Sequence, residues 1–193
     1  LRIEHIKNMI AMQPDTTIGH RDKAILLTGF MAGLRRSEIV GLDVGDVTFE
    51  PEGAVLNIRR SKRDQEGKGR SVPVPRGHHE ETCPVRALQR WLAVYGVANG
   101  PLFVRLDPGA GGERLTGKSV ALIVKKAAGQ AGLDSNLFSG HSLRRGFCTE
   151  TARAGASERE IARTTGHTSM AVLAGYVEAG TLFDQAAGRR LDL

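Results

Sequence analysis

The hydrophobic period of this chain changes from helical to strand-like and back again, which limits the folds it can adopt. Most of the sequence carries apolar residues at helical spacing, beginning with residues 3–12. From residue 44 apolar and polar residues alternate, and turn residues interrupt the alternation. Strands are predicted at 47–49, 54–59 and 71–74. The pattern predicts a mainly α fold with one small three-stranded antiparallel β-sheet (α+β).

Helical patterns precede and follow the strands. Capping residues support several of them: Thr116 precedes an apolar stripe, and Ser157 with Glu160 has the form of a capping box. The helices are predicted at 3–12, 20–32, 35–42, 84–97, 117–131, 141–154, 157–165 and 169–176. A length of 193 residues with 40% hydrophobic residues is enough for one domain with a buried core.

The composition is basic and has no feature typical of a membrane or metal-binding protein. A formal net charge of +6 favours an anionic partner. No apolar run is long enough to span a bilayer and no signal peptide is visible, so we expect a cytoplasmic protein. Cys83 and Cys148 are expected to be reduced thiols. No cluster has the usual spacing of metal ligands, so neither a metal nor a cofactor is predicted.

One stretch combines residues suited to binding a small anion. His141 and Arg144 are three residues apart, so on a helix both side chains leave the same face. Gly140, with the hydroxyl of Ser139 or Ser142, suits a helix start, where free backbone N–H groups and the helix dipole favour negative charge. The stretch therefore predicts an anion site at the start of a helix.

A second pair of residues can join that site only if the chain turns. His167 follows Gly166, and Tyr176 stands nine residues later. On one straight helix the two side chains would lie on opposite faces, roughly 13 Å apart along the axis. We predict a bend between them, and Gly175 is the expected place for it.

Taken in order, these residues resemble the catalytic domain of tyrosine recombinases, the phage integrase family. Two local stretches carry much of the resemblance: TGFMAGLRRSE at 28–38 and GHTS at 166–169. The resemblance runs from about residue 15 to about residue 180 and implies that family's catalytic-domain fold. The positions that match the family's catalytic pattern are Arg35, Lys62, His141, Arg144, His167 and Tyr176.

The resemblance implies cleavage of double-stranded DNA by transesterification. Tyr176 would attack the phosphodiester and form a 3′-phosphotyrosyl link, which a free 5′ hydroxyl reverses, so neither metal nor ATP is implied. Arg35 and Arg144 would hold the non-bridging oxygens, since guanidinium groups match phosphate and stay charged. His141 and His167 would hydrogen-bond the same oxygens, or His141 would accept the tyrosine proton.

Two further roles follow from the same resemblance. Lys62 would protonate the leaving 5′ oxygen, with Lys68 as the rival for that role, and Glu38 would support the site by holding a basic side chain. A cluster of basic residues in the second hairpin is either a solvated charge cluster that protects a sheet edge or a finger that enters a DNA groove. The predicted DNA contacts are Arg59, Arg60, Arg63, Lys68, Arg70 and Arg145.

The resemblance also implies a domain organisation. Residues 1–180 would form the catalytic domain, and 181–193 a tail helix that packs on its own chain or docks on a neighbouring protomer. The chain lacks a starting Met, so we expect a fragment without the family's N-terminal DNA-binding domain. The full-length protein would act as a homotetramer on nucleoid DNA, with no membrane or nucleotide partner.

Three other functions stay open at this point. A type IB topoisomerase uses similar chemistry to relax supercoiled DNA. A non-catalytic regulator could use residues 160–172, which look like a helix-turn-helix. Residues 112–119 match the P-loop pattern, but the strands lie in one hairpin cluster rather than alternating with helices, so a nucleotide site is not expected.

Overall fold

A computed structural model describes residues 1–59, 69–107, 109, 112–167 and 169–181. The strands are β1 (Val47–Glu50), β2 (Gly53–Ile58) and β3 (Arg70–Pro75). The helices are α1 (Ile3–Ala11), α2 (Thr17–Met31), α3 (Arg36–Gly41), α4 (Pro84–Tyr95), α5 (Gly117–Gln130), α6 (Ser142–Arg153), α7 (Glu158–Thr165) and α8 (Met170–Thr181). None of the helices in these ranges has both the length and the apolar character needed to cross a membrane.

The sheet is three-stranded and antiparallel with the order β1-β2-β3, which confirms the predicted fold class. Leu56 of β2 pairs with Val72 of β3, and both side chains are fully buried against the helices. The alternation of apolar and polar residues predicted these strands because successive residues of a strand face opposite sides of the sheet, and one side is buried.

Helix α2 lies at the centre of the main core. Nearly all of its length is buried, and it packs against α4 and α6. The indole of Trp91 on α4 is also fully buried, stacks on Tyr95 with ring centroids 4.9 Å apart, and donates a hydrogen bond to the Leu102 carbonyl at 2.8 Å. The apolar stripe of α4 is therefore part of the core.

A smaller apolar cluster holds the last two helices against α6. Its buried members are Phe147, Cys148, Ala152, Ile161 and Leu173. The half-buried ring of Tyr176 packs against this cluster, so the same contacts that attach α8 to the domain also position the tyrosine.

The predicted bend at Gly175 is wrong. Gly166 ends α7 in the left-handed conformation with φ of 65°, a position that favours glycine. The chain changes direction at this point, and α8 continues through Gly175 without a break. His167 precedes the helix that carries Tyr176, as the predicted helices at 157–165 and 169–176 implied, and the turn that brings the two residues together begins at Gly166 and not at Gly175.

The segment that matches the P-loop pattern caps a helix. Thr116 precedes α5, and its hydroxyl accepts a hydrogen bond from the Ser119 backbone N–H at 3.1 Å. The apolar residues predicted for the inner face of α5 are buried, including Val120 and Val124. Because the sheet is antiparallel, this segment lacks the parallel strand, loop and helix order of a P-loop domain.

Candidate active site

A buried carboxylate lies between two guanidinium groups at the start of α3. Glu38 accepts hydrogen bonds from the Arg35 backbone N–H at 2.7 Å and from Arg35 Nη1 at 2.8 Å. Arg70, on β3, donates to both oxygens of the same carboxylate, at 2.8 and 3.1 Å. Burial by itself would raise the pKa of Glu38, but these hydrogen bonds hold it below its usual value. The carboxylate therefore stays ionised and fixes both arginines.

One terminal nitrogen of Arg144 binds two backbone carbonyls, and the other terminal nitrogen is available to a ligand. Its Nη1 donates to the Gly33 carbonyl at 2.8 Å and to the Thr165 carbonyl at 2.6 Å. Its Nη2 is buried and has no hydrogen-bond partner among the described residues. Burial, and after it the positive charge of Arg35, lowers the pKa of Arg144 to about 10, so it remains charged at neutral pH.

The guanidinium groups of Arg35 and Arg144 bind consecutive backbone carbonyls. Arg35 Nη2 donates to the Gly166 carbonyl at 3.1 Å, next to the Thr165 carbonyl that Arg144 binds. Arg70 lies over the same turn, because a Cβ at position 166 would be 3.1 Å from its Cζ. The turn between α7 and α8 thus brings together cations from three distant parts of the chain: Arg35, Arg70 and Arg144.

The predicted histidine–tyrosine pair meets at the same turn. His167 Nδ1 lies 2.7 Å from the hydroxyl of Thr165. The imidazole ring is 6.2 Å from the ring of Tyr176, measured between centroids, with the planes tilted by 52°. His167 directly follows Gly166, whose carbonyl binds Arg35, so the histidine of this pair is adjacent in the chain to the arginine site.

His141 occupies the N-cap position of α6, at the edge of the site. Partial burial lowers its pKa, and the charges of Arg36, Arg144 and Arg35 lower it further. A neutral imidazole at this point can accept a proton or donate a hydrogen bond.

Arg36 is a site residue that sequence reasoning missed. Its side chain lies across Gly140, where a Cβ would be only 2.0 Å from Arg36 Cδ. Because this close approach leaves no room for a side chain at position 140, a glycine precedes His141. The available signal was the Arg35–Arg36 doublet, but adjacent residues on a helix face different directions, so the spacing gave no reason to place both in one site.

The guanidinium groups of Arg35 and Arg144 suit a tetrahedral or trigonal anion, and the ring of Tyr176 lies 6.2 Å from that of His167, on the turn between α7 and α8. Fixed guanidinium groups stabilise charge that develops on phosphoryl oxygens, and a phenol has a lower pKa than an aliphatic alcohol. A search against known families finds that the sequence profile described as "Phage integrase family" matches residues 1–181. The chain belongs to the phage integrase family.

Individual relatives agree with this membership. An integrase/recombinase xerD homolog of Selenomonas ruminantium is 42% identical over 175 residues, covering 90% of this chain and 51% of the relative. Tyrosine recombinase XerC of Pelobacter propionicus is 33% identical over 160 residues, covering 82% and 47% respectively. The chain therefore spans about half the length of the curated relatives it matches.

Solved structures show that the fold is shared. The XerA recombinase superposes with a TM-score of 0.77 at 23% identity, covering all of this chain and 63% of that one. XerH recombinase bound to palindromic difH substrate, in a post-cleavage complex, gives a TM-score of 0.73 at 23% identity and covers 100% and 51%. At this level of identity the likeness supports the phage integrase fold alone.

The basic residues predicted to contact DNA have separate locations. The guanidinium group of Arg59 binds Asp43 and Asp46, while that of Arg70 binds Glu38 inside the site. Arg145 is exposed on α6. Arg60, Lys62, Arg63 and Lys68 lie outside the described residues. Within the described ranges no group of His, Cys, Asp and Glu side chains is arranged to hold a metal ion.

Proposed function

We propose that this chain is the catalytic part of a tyrosine recombinase that cuts and rejoins double-stranded DNA through a 3′-phosphotyrosyl intermediate. The observation that carries the proposal is the buried Arg144 Nη2, which has no hydrogen-bond partner within the described ranges. A buried charged donor without a partner is costly, and a phosphate oxygen would satisfy it. Family membership and the neighbouring Arg35 point to the same ligand.

The proposed roles are those that the family resemblance implies, and the hydrogen bonds of Arg35 and Arg144 support them. Arg35 and Arg144 bind the non-bridging oxygens of the scissile phosphate, and His141 and His167 interact with the same phosphate or with the tyrosine proton. Tyr176 is the nucleophile, and it releases a 5′ hydroxyl while it forms the phosphotyrosyl link. Because the reverse attack restores the phosphodiester, the bond energy is kept and no ATP is consumed.

Lys62 is proposed as the general acid that protonates the leaving oxygen, with Lys68 as the alternative. We further propose that Arg59, Arg60, Arg63, Lys68 and Arg145 contact the DNA backbone. We also keep Arg70 as a proposed DNA contact, and it has a structural role as well, because both of its terminal nitrogens bind Glu38. It holds the carboxylate that positions Arg35.

The assembly and partners belong to the same proposal. The tail at 181–193, of which residues 182–193 lie outside the described residues, would dock on its own chain or on a neighbouring protomer. The full-length protein would act as a tetramer on nucleoid DNA in the cytoplasm. This chain alone would bind DNA weakly and with strong salt dependence, since phosphate contacts release counterions.

The test is a nicked DNA substrate from which the cleaved strand fragment diffuses away, trapping the covalent complex. The wild-type chain should give a protein–DNA adduct that survives denaturant, and Tyr176→Phe should abolish it with nearly unchanged DNA binding. Arg144→Ala should slow adduct formation by about 10²- to 10³-fold, the usual cost of losing a donor that stabilises transition-state charge.

An undiminished adduct in Tyr176→Phe would show that the nucleophile is another residue. Relaxation of supercoiled DNA without exchange between sites would favour a type IB topoisomerase. Sequence-specific binding with no adduct in any variant would favour a helix-turn-helix regulator. We regard the recombinase as the best supported of these because the Gly166 carbonyl binds Arg35 and the neighbouring His167 ring lies against Tyr176.

A further inference from the structure

Thr165 is a fully buried polar residue that touches two of the proposed catalytic side chains. Its carbonyl accepts a hydrogen bond from Arg144 Nη1 at 2.6 Å. Its hydroxyl lies 2.7 Å from His167 Nδ1 and 2.6 Å from the carbonyl oxygen of Ile161. The residue is the last of α7, one turn of helix beyond Ile161.

These two hydroxyl contacts determine which atom donates. A backbone carbonyl can only accept, so the Thr165 hydroxyl must use its single hydrogen for Ile161. If the hydroxyl pointed to the histidine instead, two oxygen acceptors would face each other at 2.6 Å without a hydrogen between them. The hydroxyl therefore presents a lone pair to His167, and Nδ1 must carry a hydrogen to complete the second bond.

We propose that Thr165 is a positioning residue that holds His167 in the Nδ1–H tautomer, so that Nε2 is the nitrogen that takes up and releases protons during the reaction. The inference rests on the proposed function for the catalytic role of Nε2, whereas the tautomer itself follows from the contacts of Thr165. In the neutral ring Nε2 then acts as an acceptor, and after protonation it acts as a charged donor.

The arrangement also links the orientation of the histidine to that of the arginine. One backbone unit binds Arg144 through its carbonyl, and the attached side chain binds His167. The hydroxyl rotor is fixed by Ile161, which is fully buried and leaves Thr165 little freedom to turn. A substitution of Thr165 should therefore change the protonation of the His167 ring nitrogens more than it changes the stability of the fold.

The direct test measures the ring nitrogens by ¹⁵N NMR on the whole chain without DNA, with the signals of His167 identified by their absence in His167→Gln. In the wild-type protein, above the pKa of the ring, we expect Nδ1 to be protonated and Nε2 to be unprotonated. Thr165→Val, which keeps the branched shape but lacks the hydroxyl, should move the ring toward the Nε2–H tautomer. Thr165→Ser, which restores the hydroxyl, should retain the wild-type pattern.

A second readout uses the nicked substrate. Thr165→Val should form the adduct roughly 2- to 10-fold more slowly, the equivalent of one hydrogen bond, and its pH–rate profile should shift. Thr165→Ser should restore both the rate and the profile. Unchanged circular dichroism and thermal unfolding would exclude a loss of fold in either variant.

The outcomes separate this inference from the proposed function. If wild-type His167 is protonated at Nε2, or if Thr165→Val leaves the tautomer unchanged, the role of Thr165 is wrong whatever the enzyme does. If the NMR result is as expected but the wild-type chain forms no adduct, the tautomer assignment stands and the recombinase proposal fails.

Discussion

Two clusters of carboxylate and guanidinium groups lie close together in sequence but differ in burial. The inner cluster consists of Glu38, Arg35 and Arg70, and the outer cluster of Asp43, Asp46, Arg59 and Arg114. The Glu38 side chain is 0% exposed and its arginine partners are 19% and 18% exposed. In the outer cluster the arginine side chains are 58% and 38% exposed.

The difference shows that similar ion pairs can have different consequences. In the inner cluster water cannot replace a lost partner, so each charge depends on the others, and the geometry of Arg35 depends on Glu38. In the outer cluster Asp46 is also largely buried, with 10% of its side chain exposed, but water and salt reach Asp43, Arg59 and Arg114 and screen their charges. The inner cluster builds the candidate active site, while the outer cluster joins the start of the sheet to the segment before α5.

The largest effect should come from Glu38→Gln, which removes the only negative charge of the inner cluster. Two guanidinium groups would then face each other with no carboxylate between them. We expect the free energy of unfolding to fall by about 3–5 kcal/mol, as when one partner of a buried ion pair is lost. Chemical denaturation measures this free energy. A loss below about 1 kcal/mol would mean that the buried inner cluster contributes no more to stability than exposed ion pairs do.

Arg70→Met should have the next largest effect, because it removes one of the two arginines that bind the carboxylate. Glu38 would keep its hydrogen bonds from Arg35 but lose those from Arg70. We expect a loss of about 1.5–3 kcal/mol, typical of hydrogen bonds to a charged group. Arg59→Met is the matched control in the outer cluster, and equal destabilisation by the two substitutions would contradict the comparison.

Asp43→Asn should have a small effect, although Asp43 binds both Arg59 and Arg114. Because these side chains are partly exposed, at 28% for Asp43, 58% for Arg59 and 38% for Arg114, we expect the free energy of unfolding to change by at most about 1 kcal/mol. The change should shrink further near 1 M salt, where the Debye length is about 3 Å. A larger change that persists at high salt would show that the outer cluster is effectively buried.

The smallest expected difference is in the acid dependence of stability. The folded-state pKa of Glu38 lies below 4.5, its ordinary value, so the carboxylate contributes stability fully above that pH. As the pH falls below 4.5, the unfolded state takes up its proton first, and the contribution is progressively lost. The difference in unfolding free energy between wild type and Glu38→Gln should therefore narrow with acidification. A constant or widening difference would contradict the assigned pKa direction.

Local structure was largely predictable because it follows local patterns. The strands and helices were found from the spacing of apolar residues, and Thr116 and Ser157 cap helices as their sequences indicated. Helix α2 begins at Thr17, earlier than predicted, because the Thr16 side chain accepts from the Gly19 N–H and caps it. The resemblance to the family supplied the site residues, which no single pattern would have selected.

The contacts between distant segments were not predictable from the sequence. The bend at Gly175 was wrong: the chain is redirected at Gly166, in the left-handed conformation, between the helices that apolar spacing had placed at 157–165 and 169–176. The structure also pairs Arg70, a predicted DNA contact, with Glu38, which lies 32 positions earlier. The Arg70–Glu38 pairing cannot be predicted from residue spacing, since spacing predicts only neighbours within one helix or strand.

The sequence by itself determined the fold class and the order of the helices and strands, and through the family resemblance it predicted a set of catalytic residues. Only the tertiary structure decided that Arg35 and Arg144 bind adjacent carbonyls, that Arg70 shares Glu38, and that the Thr165 hydroxyl faces His167. The reason is physical: periodicity specifies which face of an element is apolar, whereas these contacts depend on where backbone carbonyls and buried hydroxyls point after the elements have packed.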